Sequence, residues 1–272
     1  MSLPPDGSWD CHAHVIEDPA RYPLFPGRNY DPPAAPLEAY LAMLDRNHLA
    51  RGVLVQPSVY GFDNRCLLDA LDRADGRLLG IVVPDPGAPP RDLEAMHRRG
   101  ARGVRCNLLH PGPLEIEHIL RWHDTLRDLG WHVELHAAID AIDDLGGLVR
   151  RFEVPVVIDH MGRPAPGRAD PAAPALQRLV DLVGEGACFV KLSAPYRLSA
   201  QPPPWDDVTP LARALVAANP ARCIWATDWP HTSTPQVISE AHLLAALAEW
   251  CPEESTRRIV TDRAPRDLFQ PP

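Results

Sequence analysis

The chain has 272 residues, with 27 Lys+Arg against 36 Asp+Glu for a formal charge of −9, 45% hydrophobic and 23% charged residues, an ordinary globular composition. The acidic balance argues against a nucleic-acid or anionic-membrane binder, because both need a basic face, and no apolar run approaches the ~20 residues that span a bilayer. The opening Met-Ser-Leu-Pro-Pro-Asp has neither a basic nor an apolar leader region, so a cytoplasmic protein of one domain, 1–272, is expected.

Eight short apolar runs alternate with helical patterns. The first run, Trp9 to His12, precedes a helix with apolar positions at Leu37, Tyr40, Leu41 and Leu44. Gly52 to Gln56 leads to a helix marked by Leu67, Leu68 and Leu71, and Leu78 to Val83 to a less distinct one over 91–99. Gly103 to Cys106 is followed by Ile116, Ile119, Leu120 and Trp122, and Trp131 to His136 by an indistinct helix over 139–151. Pro155 to Asp159, Cys188 to Ser193 and Cys223 to Asp228 complete the strands, with helices at 176–182, 208–216 and 243–247. Most runs are β-branched and bounded by Pro, Gly or charge, as buried parallel strands are. The rhythm predicts an α/β fold of the TIM-like (β/α)8 barrel type; no glycine-rich nucleotide fingerprint follows a strand, which disfavours a doubly wound sheet. The 32 prolines punctuate loops, and the six scattered cysteines read as small buried hydrophobes.

The strand ends carry the chemistry. They are polar where a plain core strand would stop at a turn residue: His12 and His14 on the first, Ser58 beyond the second, Arg105 and Asn107 on the fourth, His136 on the fifth, His160 on the sixth, Lys191 and Ser193 on the seventh, Asp228 on the eighth. In a barrel these ends meet at one mouth. His12 and His14, two apart, face one side of a strand and can point at one ion or one carbonyl oxygen. A lone pair of this kind is more often two hydrogen-bonded core histidines; its combination with His136, His160 and Asp228 favours catalysis. Asp228 is the candidate general base, against an ordinary turn aspartate before proline. Arg105, Arg163 and Arg197 lie at or just past strand ends and suit an anionic small molecule. His110 and His231, in loops past strands four and eight, are candidates for the pocket lining.

The stretches Asp10-Cys11-His12-Ala13-His14, Gly103-Val104-Arg105-Cys106-Asn107, Asp159-His160-Met161-Gly162-Arg163-Pro164 and Thr227-Asp228-Trp229-Pro230-His231 resemble the amidohydrolase superfamily, within it the amidohydrolase-related, 2-pyrone-4,6-dicarboxylate lactonase-like group. The likeness runs from about Asp10 to Phe269. It implies a hydrolase of a carboxylated cyclic lactone, pyrone-, muconolactone- or sugar-acid-like, in which His12, His14 and His160 polarise the carbonyl and Asp228 deprotonates water. It further implies that Arg105, Arg163 and Arg197 hold carboxylates and that Ser58 begins the substrate pocket. An arginine that the group carries after the fourth strand is missing from Leu108-Leu109-His110-Pro111-Gly112. The resemblance favours no cofactor. The superfamily's metal-dependent members imply the alternative, one zinc or manganese ion on His12, His14, His136 and Asp228, serving a decarboxylase or hydratase of an unsaturated or aromatic acid. A barrel that binds a small acid without catalysis is the remaining alternative.

Overall fold

The computed structural model describes residues 4–109, 114–234 and 237–269; His110 lies outside them. Eight strands, β1 (Trp9–Ala13), β2 (Arg51–Val55), β3 (Leu78–Val82), β4 (Ala101–Asn107), β5 (His132–His136), β6 (Val156–Ile158), β7 (Phe189–Leu192) and β8 (Cys223–Trp225), pair in chain order, all parallel. A parallel bridge between Ala13 and Trp229, with His14 N donating to Trp229 O at 2.8 Å, brings the first and last segments together. The expected (β/α)8 barrel is therefore present.

The helices between the strands are α1 (Leu37–Arg46), α2 (Arg65–Arg73), α3 (Pro90–Arg98), α4 (Ile116–Leu120), α5 (His123–Asp128), α6 (Leu145–Arg150) and α7 (Pro174–Gly184). After β7 come α8 (Pro195–Leu198) and α9 (Thr209–Ala218), and after β8 come α10 (Glu240–Trp250), α11 (Glu254–Arg258) and α12 (Ala264–Phe269). The fourth helical pattern breaks at Trp122, whose indole N–H is held by Ala88 O at 2.9 Å. The fifth reduces to a 3-10 turn, Ile139–Ala141, and the short α6, capped by Asp144 through Gly147 N at 2.7 Å. Among the described residues no helix is long and apolar enough to cross a membrane. All six cysteines are buried and free.

Two cores follow from strand alternation. Outward side chains such as Val104, Val133, Ile158 and Leu192 join the helices in a shell. Inward ones, among them Trp9, Val53, Ile81, Val157, Phe189 and Ile224, fill the barrel's lower half, where Leu268 and Phe269 of α12 close the end. Trp9 and Phe269 stack with ring centroids 6.0 Å apart.

Above this apolar layer the same alternation turns charged residues inward. On β5, His132, Glu134 and His136 share the inner face; on β7, Lys191 follows Phe189. Asp10 faces outward and joins both ends of the barrel: it accepts from Thr227 N (2.8 Å), Thr227 Oγ1 (2.7 Å) and Tyr40 OH of α1 (3.0 Å). A register shift between Asp10 and Ala13 lets Cys11 and His12 both lie on the inner side, as a β-bulge does.

Candidate active site

The strand ends surround a cavity of about 330 Å³ whose wall includes His14, Ser58, Arg105, Asn107, His136, His160, Arg163, Arg197 and Asp228. Nine of the residues predicted from the sequence thus line it. His12 lies directly behind, fully buried, with its ring 5.0 Å from that of His14 and 4.8 Å from that of His160. His231 is off the wall: its amide is turned back onto Asp228 O (2.9 Å) at φ 64°, and its ring packs edge-on against Tyr196. This corrects its expected place in the pocket lining.

Strained backbone sets several of these groups. Strand β8 stops at Trp225, and Asp228 sits three residues later at φ 60°, held by its amide on His12 O at 3.0 Å. After β6 the chain enters a 3-10 turn, Asp159–Gly162, with His160 and Met161 left-handed at φ 49° and 52°, and Arg163 follows at 54°. Such conformations cost of order 1–3 kcal/mol each and persist only where neighbours over-determine them.

Asp228 is the hub. Its Oδ2 accepts from Tyr196 OH at 2.5 Å and Arg197 Nε at 2.9 Å. Its Oδ1 faces three imidazoles: the Nε2 atoms of His12, His14 and His160 lie 3.7, 3.9 and 3.9 Å away. Those gaps exceed a hydrogen bond and are too short for an oxygen on the line between the atoms, so one can contact both only from the cavity side. Burial pushes the Asp228 carboxyl up, but Arg197 and the imidazoles outweigh it and hold it well below the usual carboxylate range. Burial, with Arg105 next, lowers His14 to about 4, and burial lowers His160 to about 3, so both rings are neutral near pH 7. Burial and then Arg105 also hold His136 well below the ordinary imidazole value.

The three arginines differ. Arg105 places Nε and Nη2 on Asp159 Oδ2 at 3.1 and 3.0 Å. Arg197 is committed to Asp228 and to Thr232 O (2.8 Å). Arg163 gives only Nη1 to Arg197 O at 3.1 Å, its buried Nε has no hydrogen-bond partner, and among the described residues it has no carboxylate partner. Of the three arginines it is the one without a carboxylate partner among the described residues, which leaves it capacity for a ligand.

Side chains that sequence reasoning left without a role complete the site. Lys191 and Glu134, both fully buried, lie 2.6 Å apart, and Lys191 Nζ is 3.2 Å from Asp159 Oδ1 and 2.9 Å from His12 Nδ1. Tyr196 fixes the Asp228 carboxylate. The signal for Glu134 and Lys191 was the period-two alternation His132–Glu134–His136 and Phe189–Lys191–Ser193, which puts ionisable groups on the inner face.

By distance, two groups among the described residues could hold a metal ion, His12–His14–Asp228 and His12–Asp159–His160; His136 belongs to neither. By hydrogen bonding the fit fails at their shared member. His14 Nδ1 donates to Val55 O at 2.7 Å, which leaves its Nε2 lone pair open. His12 Nδ1 faces the Lys191 amine at 2.9 Å; where that amine donates, the proton of the neutral ring lies on Nε2 and neither ring nitrogen keeps a free lone pair for a cation.

The sequence profile of the amidohydrolase family, described as "Amidohydrolase", matches residues 9–270. The chain belongs to this family. It is 37% identical over 271 residues to a 4-sulfomuconolactone hydrolase of Rhizobium radiobacter, covering 97% of this chain and 90% of that protein. It is 30% identical to a 2-pyrone-4,6-dicarboxylate hydrolase of Comamonas testosteroni, covering 88% and 82%. A solved structure of a probable 2-pyrone-4,6-dicarboxylic acid hydrolase from Acinetobacter baumannii with citric acid bound superposes with a TM-score of 0.86 at 26% identity, covering 97% and 99%.

Proposed function

We propose that this chain is a lactone hydrolase that opens the ring ester of a small anionic lactone of the muconolactone or pyrone-carboxylate kind, using water and the Asp228 carboxylate. The carrying observation is the placement of Asp228 Oδ1 opposite three Nε2 atoms while its other oxygen is tied to Tyr196 and Arg197. The named relatives act on lactones bearing sulfonate or carboxylate groups, and Arg163 supplies an uncommitted guanidinium on the cavity wall for such a group.

In this reading water sits on the cavity side of Asp228 Oδ1 and His14 Nε2, 3.9 Å apart, and donates to both. Its oxygen attacks the lactone carbonyl as its proton passes to Asp228. His12 and His160, through Nε2–H, stabilise the tetrahedral oxyanion, the kind of preorganised donor set that lowers such barriers most; His14, expected to polarise the carbonyl, accepts from the water instead because its Nδ1 proton is spent on Val55 O. Collapse breaks the ring C–O bond; the leaving oxygen takes the proton from Asp228, and one water has been consumed per acid and hydroxyl (or enol) released. The depressed basicity of Asp228 keeps it ionised across neutral pH, while the closed site and short transfer distance favour proton abstraction.

A pH-indicator assay over muconolactones, pyrone carboxylates, aldonolactones and their neutral methyl esters tests the proposal. The expected result is acid release from anionic lactones and little from neutral esters. Carbon dioxide release or water addition to an unsaturated acid, without ring opening of any lactone, would replace this reading with the decarboxylase or hydratase alternative.

A further inference from the structure

The polar layer beneath the cavity does more than neutralise charge. Its two cations, Arg105 and Lys191, balance its two carboxylates, Asp159 and Glu134, in space closed to solvent. An ammonium has three N–H donors and no acceptor. Lys191 Nζ makes its hydrogen bond with His12 Nδ1 at 2.9 Å, while Glu134 Oε1 at 2.6 Å and Asp159 Oδ1 at 3.2 Å are ion-pair contacts without hydrogen-bond geometry. The competing arrangement has His12 Nδ1–H donating to Asp159 Oδ1. That pair is 3.6 Å apart, beyond hydrogen-bond length, and Asp159 is drawn the other way by two donors of Arg105. His132 Nε2, 3.5 Å from Glu134 Oε1, and Cys11, His136 and His160 also face the cluster, and no hydrogen bond joins any of them to His12 Nδ1. At the far side of the His12 ring, Nε2 is buried without a hydrogen-bond partner among the described residues, aimed at the gap before Asp228 Oδ1.

We propose that Lys191 is a positioning residue: the proton it gives to His12 Nδ1 fixes His12 as the Nε2–H tautomer, so the cage offers an N–H donor to an entering oxygen and denies that nitrogen to a divalent cation. Glu134 and Asp159 hold the ammonium in place for this purpose. The choice of substrate in the test rests on the lactone-hydrolase reading; the tautomer does not.

The decisive experiment is a long-range ¹H–¹⁵N correlation spectrum of the full chain with ¹⁵N-labelled histidine, the His12 signals being assigned by their loss in His12→Asn. A protonated Nε2 and an unprotonated Nδ1 are expected. A protonated Nδ1 overturns the proposal, whatever the enzyme hydrolyses. The double variant Lys191→Met/Glu134→Gln keeps the layer neutral. It is expected to lose the fixed Nε2–H pattern, to lower kcat for an anionic lactone about 100-fold with KM within about threefold, and to gain calorimetrically detectable zinc binding that the native chain lacks. A folded double variant with native kcat, or native chain that binds zinc at His12, overturns it. Should the variant fail to fold, the spectrum of the native chain decides alone. Should no lactone be hydrolysed while His12 shows Nε2–H, the lactone reading falls and the tautomer assignment stands.

Discussion

Asp228 shows how one carboxylate is divided between two tasks. Oδ2 is spent on Tyr196 and Arg197, and Oδ1 is left facing the imidazoles. The three arginines consequently part company. Arg163→Met removes the uncommitted guanidinium and is expected to raise KM for an anionic lactone roughly 10- to 100-fold, the worth of a charged hydrogen bond, with a small effect on a neutral ester. Arg197→Met instead frees the Asp228 carboxylate and is expected to lower kcat; steady-state kinetics on the acid and its methyl ester separate the two. Equal KM effects on both substrates would remove Arg163 from anion binding. At this scale, the residues at strand ends were legible because a histidine, arginine or aspartate there has no structural reason to terminate a strand. Tyr196 was not, since it follows β7 inside an unremarkable Ala-Pro-Tyr-Arg turn, and His231 misled because proximity in sequence to Asp228 says nothing of the φ that turns it away.

Among the elements, β1 controls the most. Its bulge turns His12 inward, and Asp10 ties it to Thr227 and to α1 through Tyr40. Gly52 on β2 is what lets Tyr40 approach: a Cβ there would collide with the Tyr40 hydroxyl and ring, both fixed in a closed core. Gly52→Ala is expected to destabilise the protein by about 1–3 kcal/mol and to reduce activity through displacement of β1; a thermal melt within about 1 °C of the native protein would show that Tyr40 yields freely. Short apolar runs, mostly β-branched and bounded by Pro, Gly or charge, made all eight strands visible in the sequence. The helix after β3 was indistinct because Leu93 is its one buried residue, and the one after β5 because it is short with Gly146-Gly147 in its first turn; the clear pattern after β4 is split into two short helices at Trp122. The C-terminal pieces α11 and α12 escaped because five- and six-residue helices joined by a π-turn show too little periodicity.

Across the whole molecule, the barrel interior is layered from an apolar base through a balanced charged layer to the polar mouth, and this layering makes stability depend on acid. Unfolded imidazoles bind protons below about 6.5, whereas folded His14 resists to about 4 and His160 to about 3, together worth roughly 8 kcal/mol that is present above 6.5 and lost as the pH falls. Asp10 opposes them: burial raises its carboxyl from 3.8 to about 6, a contribution of roughly 3 kcal/mol that is present below 3.8 and lost as the pH rises through about 6. The histidines win, so Tm is expected to be several degrees lower at pH 4.5 than at pH 7; a higher Tm at pH 4.5 would mean that they are not held neutral. Fold and mouth were legible in the sequence because strand ends of such a barrel converge by topology; the pairing of Arg105 with Asp159 and of Lys191 with Glu134 was not, since it depends on register between strands that no local pattern specifies. In the proposed mechanism these distant groups assemble one water-activating carboxylate. Asp228→Asn tests it most directly, with hydrolysis of an anionic lactone and its equilibrium binding both measured on the purified variant. Turnover should fall at least about 1000-fold while binding stays within a few-fold of native; turnover near the native rate would contradict the claim.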